Sequence, residues 1–229
     1  MLNLGTQEND TWLFLQRGAV LDMSDVPYNI PESVRASVVY PDTTQPELVM
    51  FSLDINEGIL NLTFSETVDA TSLKVDQITL LAHPEANESD YVHSLSPPPY
   101  GGSGTNSINS TLISITLGDG DLNEIKRLFR LATSVNTTFL SITEDTIVDM
   151  SGLKVAPYNE TSPLRAFEVK ADTTDPVLVG FSLDMNEGVL SLTFSETVNS
   201  DSFNVLFVTL LDSPAVSYTH LTLPTIYSV

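Results

Sequence analysis

DTTQPELVMFSLDINEGILNLTFSETVDATSLKVDQITLL, residues 42–81, returns later in the chain as DTTDPVLVGFSLDMNEGVLSLTFSETVNSDSFNVLFVTLL, residues 172–211. Aligned without a gap at an offset of 130 (172 minus 42), the two copies are identical at 26 of 40 positions. Self-similarity at a fixed period is the signature of a repeat array, and it outranks any local motif. A unit of about 130 residues is an ordinary size for a domain.

The repeat predicts a chain cut from a tandem array. Thr11-Trp-Leu near the N-terminus matches Thr138-Phe-Leu, and Leu21-Asp-Met-Ser matches Val148-Asp-Met-Ser, so we expect the chain to begin inside a unit. The first residues lack the basic and apolar regions of a signal peptide, but on this expectation that observation carries little weight. We expect the C-terminal remnant of one repeat in residues 1–41, a complete repeat in 42–171, and the N-terminal part of the next in 172–215.

Short alternating segments within 42–171 predict β-strands. Leu60, Leu62 and Phe64 recur with a period of two, which is typical of a half-buried strand. Asp54 to Gly58 precedes them as a turn signal, with a glycine that can adopt positive φ. About seven such strands lie too close together in sequence for helical crossovers, so they predict an antiparallel β-sandwich.

One short helix is predicted from Leu122 to about Leu131, because apolar residues there recur at helical spacing. Asp121 and Glu124 have the form of an N-cap acid and its reciprocal partner. The preceding segment 96–109 is rich in proline and glycine, which predicts a loop.

Composition excludes several classes of function. The formal charge of −21, from 30 acids and 9 bases, argues against nucleic acid or an anionic membrane as partners, since phosphate contacts need clustered Lys and Arg. The absence of cysteine excludes disulfides and thiolate metal sites. No apolar run approaches the roughly 18 residues of a membrane span.

The last 14 residues, 216–229, break the repeat. Their sequence, VSYTHLTLPTIYSV, resembles a translated sequencing adaptor, and such a scar does not belong in fold reasoning. The alternative interpretation is a natural final strand.

The motifs of the chain resemble those of bacterial Ig-like tandem repeats of the surface-layer and adhesin type. The resemblance rests on Asp-Thr-Thr-x-Pro at the linker, Leu-Thr-Phe-Ser-Glu-Thr-Val at 62–68 and 192–198, and Val-Asp-Met-Ser-Gly at 148–152. The family usually has Asp-x-Ala-Gly-Asn at the last motif, whereas here Ser151 replaces Ala and Leu153 replaces Asn. The resemblance implies an all-β fold of Ig-like antiparallel β-sandwich repeats, here with one short helix inserted per repeat. It also implies an extracellular or cell-surface location, with calcium at some linkers.

Calcium is the candidate cofactor, because it prefers about six to eight oxygen ligands with carboxylates prominent. A site drawn from a linker and from the end of the preceding unit would lie between neighbouring domains. The hairpin loops are the second set of candidates, although Asp, Asn and Gly also favour turns for backbone reasons alone. The candidate ligands are Asp42 and Asp172 at the linkers, Asp22 and Asp149 near the end of the preceding unit, and Asp54, Asn56, Asp184 and Asn186 in the hairpin loops.

No catalytic constellation emerges from the sequence, and we predict that the chain is not an enzyme. Outside the tail the histidines are His83 and His93, which are interpreted as a loop and an edge residue. Glu66 and Glu196 follow an apolar strand in both copies, but no second acid stands at a spacing that would pair with them. We interpret them as strand-end glutamates bonded to backbone N–H groups.

The expected function is that of a non-catalytic structural or adhesive Ig-like repeat in a large extracellular or cell-surface protein. Its partners would be the neighbouring repeats of the same chain, with surface glycans or proteins as further partners. The alternative is an accessory carbohydrate- or protein-binding module attached to an enzyme. An exposed row of aromatic side chains would favour that alternative, and the candidates are Tyr91, Tyr100 and Tyr158.

Overall fold

The computed structural model describes residue 5 and residues 7–27, 33–84, 91–99 and 101–211. The interpretations placed on Tyr100, on 212–215 and on the tail 216–229 therefore lie outside the described residues. The chain separates into two compact units, Met1–Thr197 and Val198–Val229. As the sequence predicts, the fold is mostly β-strand, and its strand pairs are antiparallel apart from one parallel pair at the edge of the largest sheet.

The strands of the first unit are short. In chain order the described residues form β1 (Trp12–Leu13), β2 (Val34–Arg35), β3 (Leu48–Asp54), β4 (Ile59–Val68), β5 (Ile78–Leu81), β6 (Val92–Ser94), β7 (Gly104–Thr105), β8 (Ser110–Thr116), β9 (Phe139–Ile142), β10 (Leu164–Arg165), β11 (Glu168–Lys170), β12 (Leu178–Asp184) and β13 (Val189–Phe194). One α-helix, α1 (Asp119–Arg127), lies between β8 and β9, and 3-10 helices span Glu8–Asp10, Ala70–Ser72, Val75–Gln77 and Val135–Thr137.

Two sheets enclose the main core. One has five strands in the order β11-β3-β4-β8-β7, and the other has four in the order β10-β9-β5-β6. Phe51 and Leu62 from the first sheet belong to the same buried cluster as Leu80 and Leu140 from the second. Each fully buried side chain of this size contributes about 1.5–3 kcal/mol, so the shared core is the main source of stability.

The β3–β4 hairpin follows its predicted alternation. Leu60, Leu62 and Phe64 are buried, and the residues between them are partly exposed. Gly58 closes the turn with a φ of 63°, a conformation that costs a residue with a Cβ more than it costs glycine. A Cβ on Gly58 would also lie 3.4 Å from Leu122, so the turn packs closely against α1.

The helix differs from its prediction at both ends. It begins at Asp119, with Gly118 as its N-cap residue, and it ends at Arg127. The prediction of Asp121 as N-cap is wrong, because Asp121 lies inside the first turn and its buried carboxylate bonds groups outside the helix. Leu128 and Leu131 still pack into the core, but they do so after the helix has ended.

The second copy of the hairpin has the strand pairing of the first. Phe51 pairs with Leu62, and Phe181 pairs with Leu192, each at an offset of 130 (181 minus 51, 192 minus 62). A register shift follows the first residue of both β3 and β12. The burial differs: Phe51 is 1% exposed and Phe181 is 60% exposed. Within the described residues no second sheet covers β12 and β13.

The second unit, in its described part, contains two 3-10 helices, Ser200–Ser202 and Val205–Phe207. They match Ala70–Ser72 and Val75–Gln77 at the same offset of 130 (200 minus 70, 205 minus 75). Residues 208–211, which correspond to β5, form no strand. In the complete copy β5 is paired on both sides, by β6 and β9.

The N-terminal segment matches the end of the complete unit. Trp12 pairs with Arg35 in β1–β2, as Phe139 pairs with Arg165 in β9–β10. An isolated bridge joins Leu21 to Pro27 in this segment. In the described parts of residues 5–41, the order of elements is therefore the order found at the end of 42–171.

Candidate metal centre

Three carboxylates converge at one edge of the main core. Asp42, Glu66 and Asp149 each place one oxygen so that the three oxygens lie within 4.8 Å of one another. Asp42 precedes β3, Glu66 lies near the end of β4, and Asp149 lies in the turn that follows β9. The sequence predicts Asp42 and Asp149 as calcium ligands at two different linkers, each with an acid of a neighbouring unit. The structure instead brings these two together with Glu66 inside the single unit 42–171.

Backbone hydrogen bonds hold Asp149 beside the end of β4. Asp149 forms an isolated bridge with Val68, and the N–H of Asp69 donates to the carbonyl of Val148 over 2.9 Å. The Oδ1 atom of Asp149 accepts the N–H groups of Ser151 at 2.8 Å and Leu153 at 2.7 Å. One oxygen of Asp149 is therefore used by its own turn, and the other is left for the cluster.

Two other carboxylate oxygens of the cluster are not satisfied by any hydrogen bond. Oδ2 of Asp149 and Oε1 of Glu66 are buried without a hydrogen-bond partner. Burial, followed by the negative charges of Asp42 and Asp149, raises the pKa of Glu66. The expectation that backbone N–H groups satisfy Glu66 is wrong for this oxygen. Because a buried, unpaired carboxylate is costly, the cluster is suited to a cation.

The dimensions of the cluster fit a hard divalent ion. Calcium binds oxygens at about 2.3–2.6 Å, so two oxygens on opposite sides of one ion can stand about 5 Å apart. The three carboxylate oxygens lie within that limit, at 4.8 Å or less. Asp42, Glu66 and Asp149 could therefore hold one calcium ion, with water and carbonyl oxygens as further ligands.

The corresponding acids of the second copy have a different neighbour. Asp172 and Glu196 are the equivalents of Asp42 and Glu66 at the offset of 130. Nζ of Lys126, from α1, lies 3.0 Å from Oδ2 of Asp172 and 2.7 Å from Oε2 of Glu196. These hydrogen bonds outweigh the effect of burial and raise the pKa of Lys126, so its ammonium stays charged.

The side chains of the first hairpin loop form hydrogen bonds within the loop and to the following linker, and they do not belong to the acid cluster. Oδ1 of Asp54 accepts the N–H of Glu57 at 3.0 Å, and this bond, with Lys170 close by, lowers the pKa of Asp54. Asn56 accepts the N–H of Thr173 at 3.0 Å through Oδ1 and donates to the carbonyl of Ala171 at 3.0 Å. Both side chains therefore have a turn or linker role.

The other candidates are likewise engaged in local turns. Asp184 accepts the N–H groups of Asn186 at 2.8 Å and Glu187 at 3.1 Å. Asp22 accepts the N–H groups of Ser24 at 2.7 Å and Val26 at 2.9 Å. The acid group found among the described residues contains none of these side chains.

A second polar centre, which the sequence did not predict, surrounds Asp121. Its carboxylate accepts the hydroxyl of Ser103 at 2.6 Å and the N–H of Ser96 at 3.0 Å, and it lies 3.0 Å from Nε2 of His93. Burial opposes ionisation of Asp121, but these bonds outweigh it and lower the pKa. Ser103 is fully buried, and the acid lies between it and the imidazole. This arrangement ties Ser96 and Ser103 to α1, whereas in a nucleophilic triad the imidazole would lie in the middle.

The aromatic candidates do not form a binding row. Tyr91 and Tyr158 both pack against the main core, and Tyr91 lies 5.6 Å from the ring of His83. The guanidinium carbon of Arg130 lies 5.6 Å from the centroid of the Tyr91 ring. The described aromatic candidates are therefore part of the core and its margin.

Comparison with known proteins adds no relative. No family model, curated protein or solved structure matches the chain. Among the described residues, none of the helices has the length and apolar character needed to cross a membrane.

Proposed function

We propose that the chain belongs to a tandem array of Ig-like β-sandwich modules and serves as a non-catalytic structural or adhesive repeat of a large extracellular or cell-surface protein. The recurrence of 40 residues at a fixed offset supports the array. In its structural role the unit would resist tension between its two ends. The observation that carries this proposal is the pairing of the first and last strands of the unit 42–171.

These two strands are parallel neighbours. β3 begins the unit and β11 ends it, and Leu53 pairs with Val169 in the middle of the contact. The N–H of Phe167 donates to Phe51 and the N–H of Ile55 donates to Lys170, both over 2.9 Å. Tension between the two ends of the unit pulls β3 and β11 past each other. Because the hydrogen bonds of parallel strands are then loaded together, the unit resists extension.

The linker to the next copy is held rather than loose. Through its side-chain oxygen, Asn56 accepts the hydroxyl of Thr174 at 3.1 Å as well as the N–H of Thr173 at 3.0 Å. The β3–β4 turn is therefore hydrogen-bonded to the linker at residues 171, 173 and 174. Calcium at Asp42, Glu66 and Asp149 would stiffen the opposite end of the same hairpin, because it would join the linker, β4 and the turn after β9.

Single-molecule force spectroscopy tests whether the pairing of β3 with β11 makes the unit resist tension. Since the chain contains no cysteine, single attachment points can be introduced without background. Thr43→Cys with Asp175→Cys applies shear to β3 and β11. Glu57→Cys with Asp175→Cys is the matched control, because it opens the same strand pair from one end.

We expect the shear geometry to give one discrete rupture, at a clearly higher force than the control. The released unit of about 130 residues should lengthen the chain by roughly 450 Å, from about 3.6 Å per extended residue. Equal forces in the two geometries, or gradual extension without a rupture, would contradict the proposed role.

A further inference from the structure

Residues on one side of the helix α1 contact residues of the following copy. Asn123 and Lys126 stand three positions apart, so they share one side of the helix. Oδ1 of Asn123 accepts the hydroxyl of Thr197 at 2.9 Å, next to the ammonium bridge that Lys126 makes to Glu196. Two adjacent residues that follow β13, Glu196 and Thr197, are therefore bound by two residues of α1.

The ammonium of Lys126 is well shielded from water. Its side chain is 12% exposed, and that of Glu196 is 10% exposed. The lysine also lines a cavity of about 140 Å³ together with the apolar side chains of Ile55 and Ile125. An ion bridge in such surroundings is screened less than a surface pair, and loss of its cation leaves the acids uncompensated.

The same acidic pair occurs in two electrostatic settings. Asp42 and Glu66 face a third acid, Asp149, and no ion pair to a base is found for them among the described residues. The second pair, Asp172 and Glu196, holds the ammonium through Oδ2 and Oε2, while Oε1 of Glu196, like Oε1 of Glu66, is buried without a hydrogen-bond partner. In both copies the linker aspartate accepts the N–H two residues on, that of Thr44 at 3.0 Å and that of Thr174 at 3.1 Å.

We propose that Lys126 is a built-in cation that docks the unit 42–171 onto the acidic pair of the following copy, in place of a divalent ion. The inference rests on the proposed tandem array. It makes the joint at Asp172 independent of divalent metal. The partner that α1 fits is thus the start of the next repeat.

Hydrogen exchange of the full chain, followed by mass spectrometry, measures the exchange rate of the backbone amides in each copy separately. Lys126→Met keeps the length and apolar stem of the side chain but removes its charge. We expect exchange in residues 171–197 to rise by about tenfold or more, with residues 48–64 unchanged. Calcium should slow exchange in 171–197 in this variant, because the vacated acids can then bind the ion. Lys126→Arg should retain the wild-type exchange, since it keeps the charge.

The matched control is Lys154→Met, which removes a lysine that bridges the exposed acids Glu144 and Asp145. It should leave exchange in 171–197 unchanged. The proposal is overturned if Lys126→Met leaves exchange in that segment at the wild-type rate, if calcium has no effect on this variant there, or if calcium slows that segment in the wild type. The force experiment on β3 and β11 does not involve Lys126, so the two proposals fail separately.

Discussion

Substituting Glu66 by glutamine removes one negative charge from the acid cluster and keeps the shape of the side chain. In the absence of metal, the carboxylates of Glu66 and Asp149 repel each other at 4.8 Å or less. With an effective dielectric constant of about 20, two unit charges at that distance repel by about 3 kcal/mol. Glu66 is only half-buried, so solvent reduces this value, and we expect Glu66→Gln to stabilise the metal-free protein by about 1–3 kcal/mol.

Thermal unfolding in a chelator at neutral pH measures this gain. For a domain of this size, 1–3 kcal/mol corresponds to a rise in Tm of about 3–10 °C. Calcium should raise the Tm of the wild type and have much less effect on the variant. Glu160→Gln is the control, because Glu160 is an exposed acid outside the cluster, and it should change neither value.

The pH dependence has a defined sign. Folding raises the pKa of Glu66, so the metal-free wild type should lose stability as pH rises from about 4.5 through the raised pKa. Glu66→Gln should lack this loss. A lower Tm for Glu66→Gln in chelator would refute the reasoning, because it would mean that the carboxylate makes favourable bonds in the folded state.

Three further predictions follow from burial and hydrogen bonding. Phe51→Ala should destabilise the protein by about 3–5 kcal/mol in chemical unfolding, whereas Phe181→Ala, its exposed counterpart, should stay within about 0.5 kcal/mol. Asp121→Ala should cost about 3–5 kcal/mol, since it removes the acceptor of the Ser96 N–H and of the fully buried Ser103. Because the pKa of Asp121 is lowered in the folded state, its contribution should be present at neutral pH and be lost as pH falls below about 3.8, which acid titration of wild type and Asp121→Ala can compare.

The strands could be predicted from the sequence because their signal is local. Leu60, Leu62 and Phe64 alternate with polar residues, and the structure buries all three. The turn at Gly58 is likewise marked by residue type alone. Hydrophobic periodicity and turn residues indicate the backbone conformation of each segment, so the all-β class could be predicted from the sequence.

The acid cluster was only partly predictable, because its members are far apart in sequence. Glu66 lies 24 residues after Asp42 (66 minus 42) and 83 before Asp149 (149 minus 66). The pairing of β3 with β4 and the backbone bonds of residues 148 and 149 to the end of β4 bring them together. Asp121 shows the same limit: its spacing to Glu124 matches a helix cap, but the loop at Ser96 and Ser103 gives it another role.

The number of calcium ions bound per chain tests the central claim most directly, namely that a metal fills the first acidic site while Lys126 fills the second. Isothermal titration of the full chain with calcium should give one site in the wild type and none in Asp149→Asn. Two sites in the wild type would show that Lys126 does not occupy the second pair. No binding at all would show that Asp42, Glu66 and Asp149 are not a metal site.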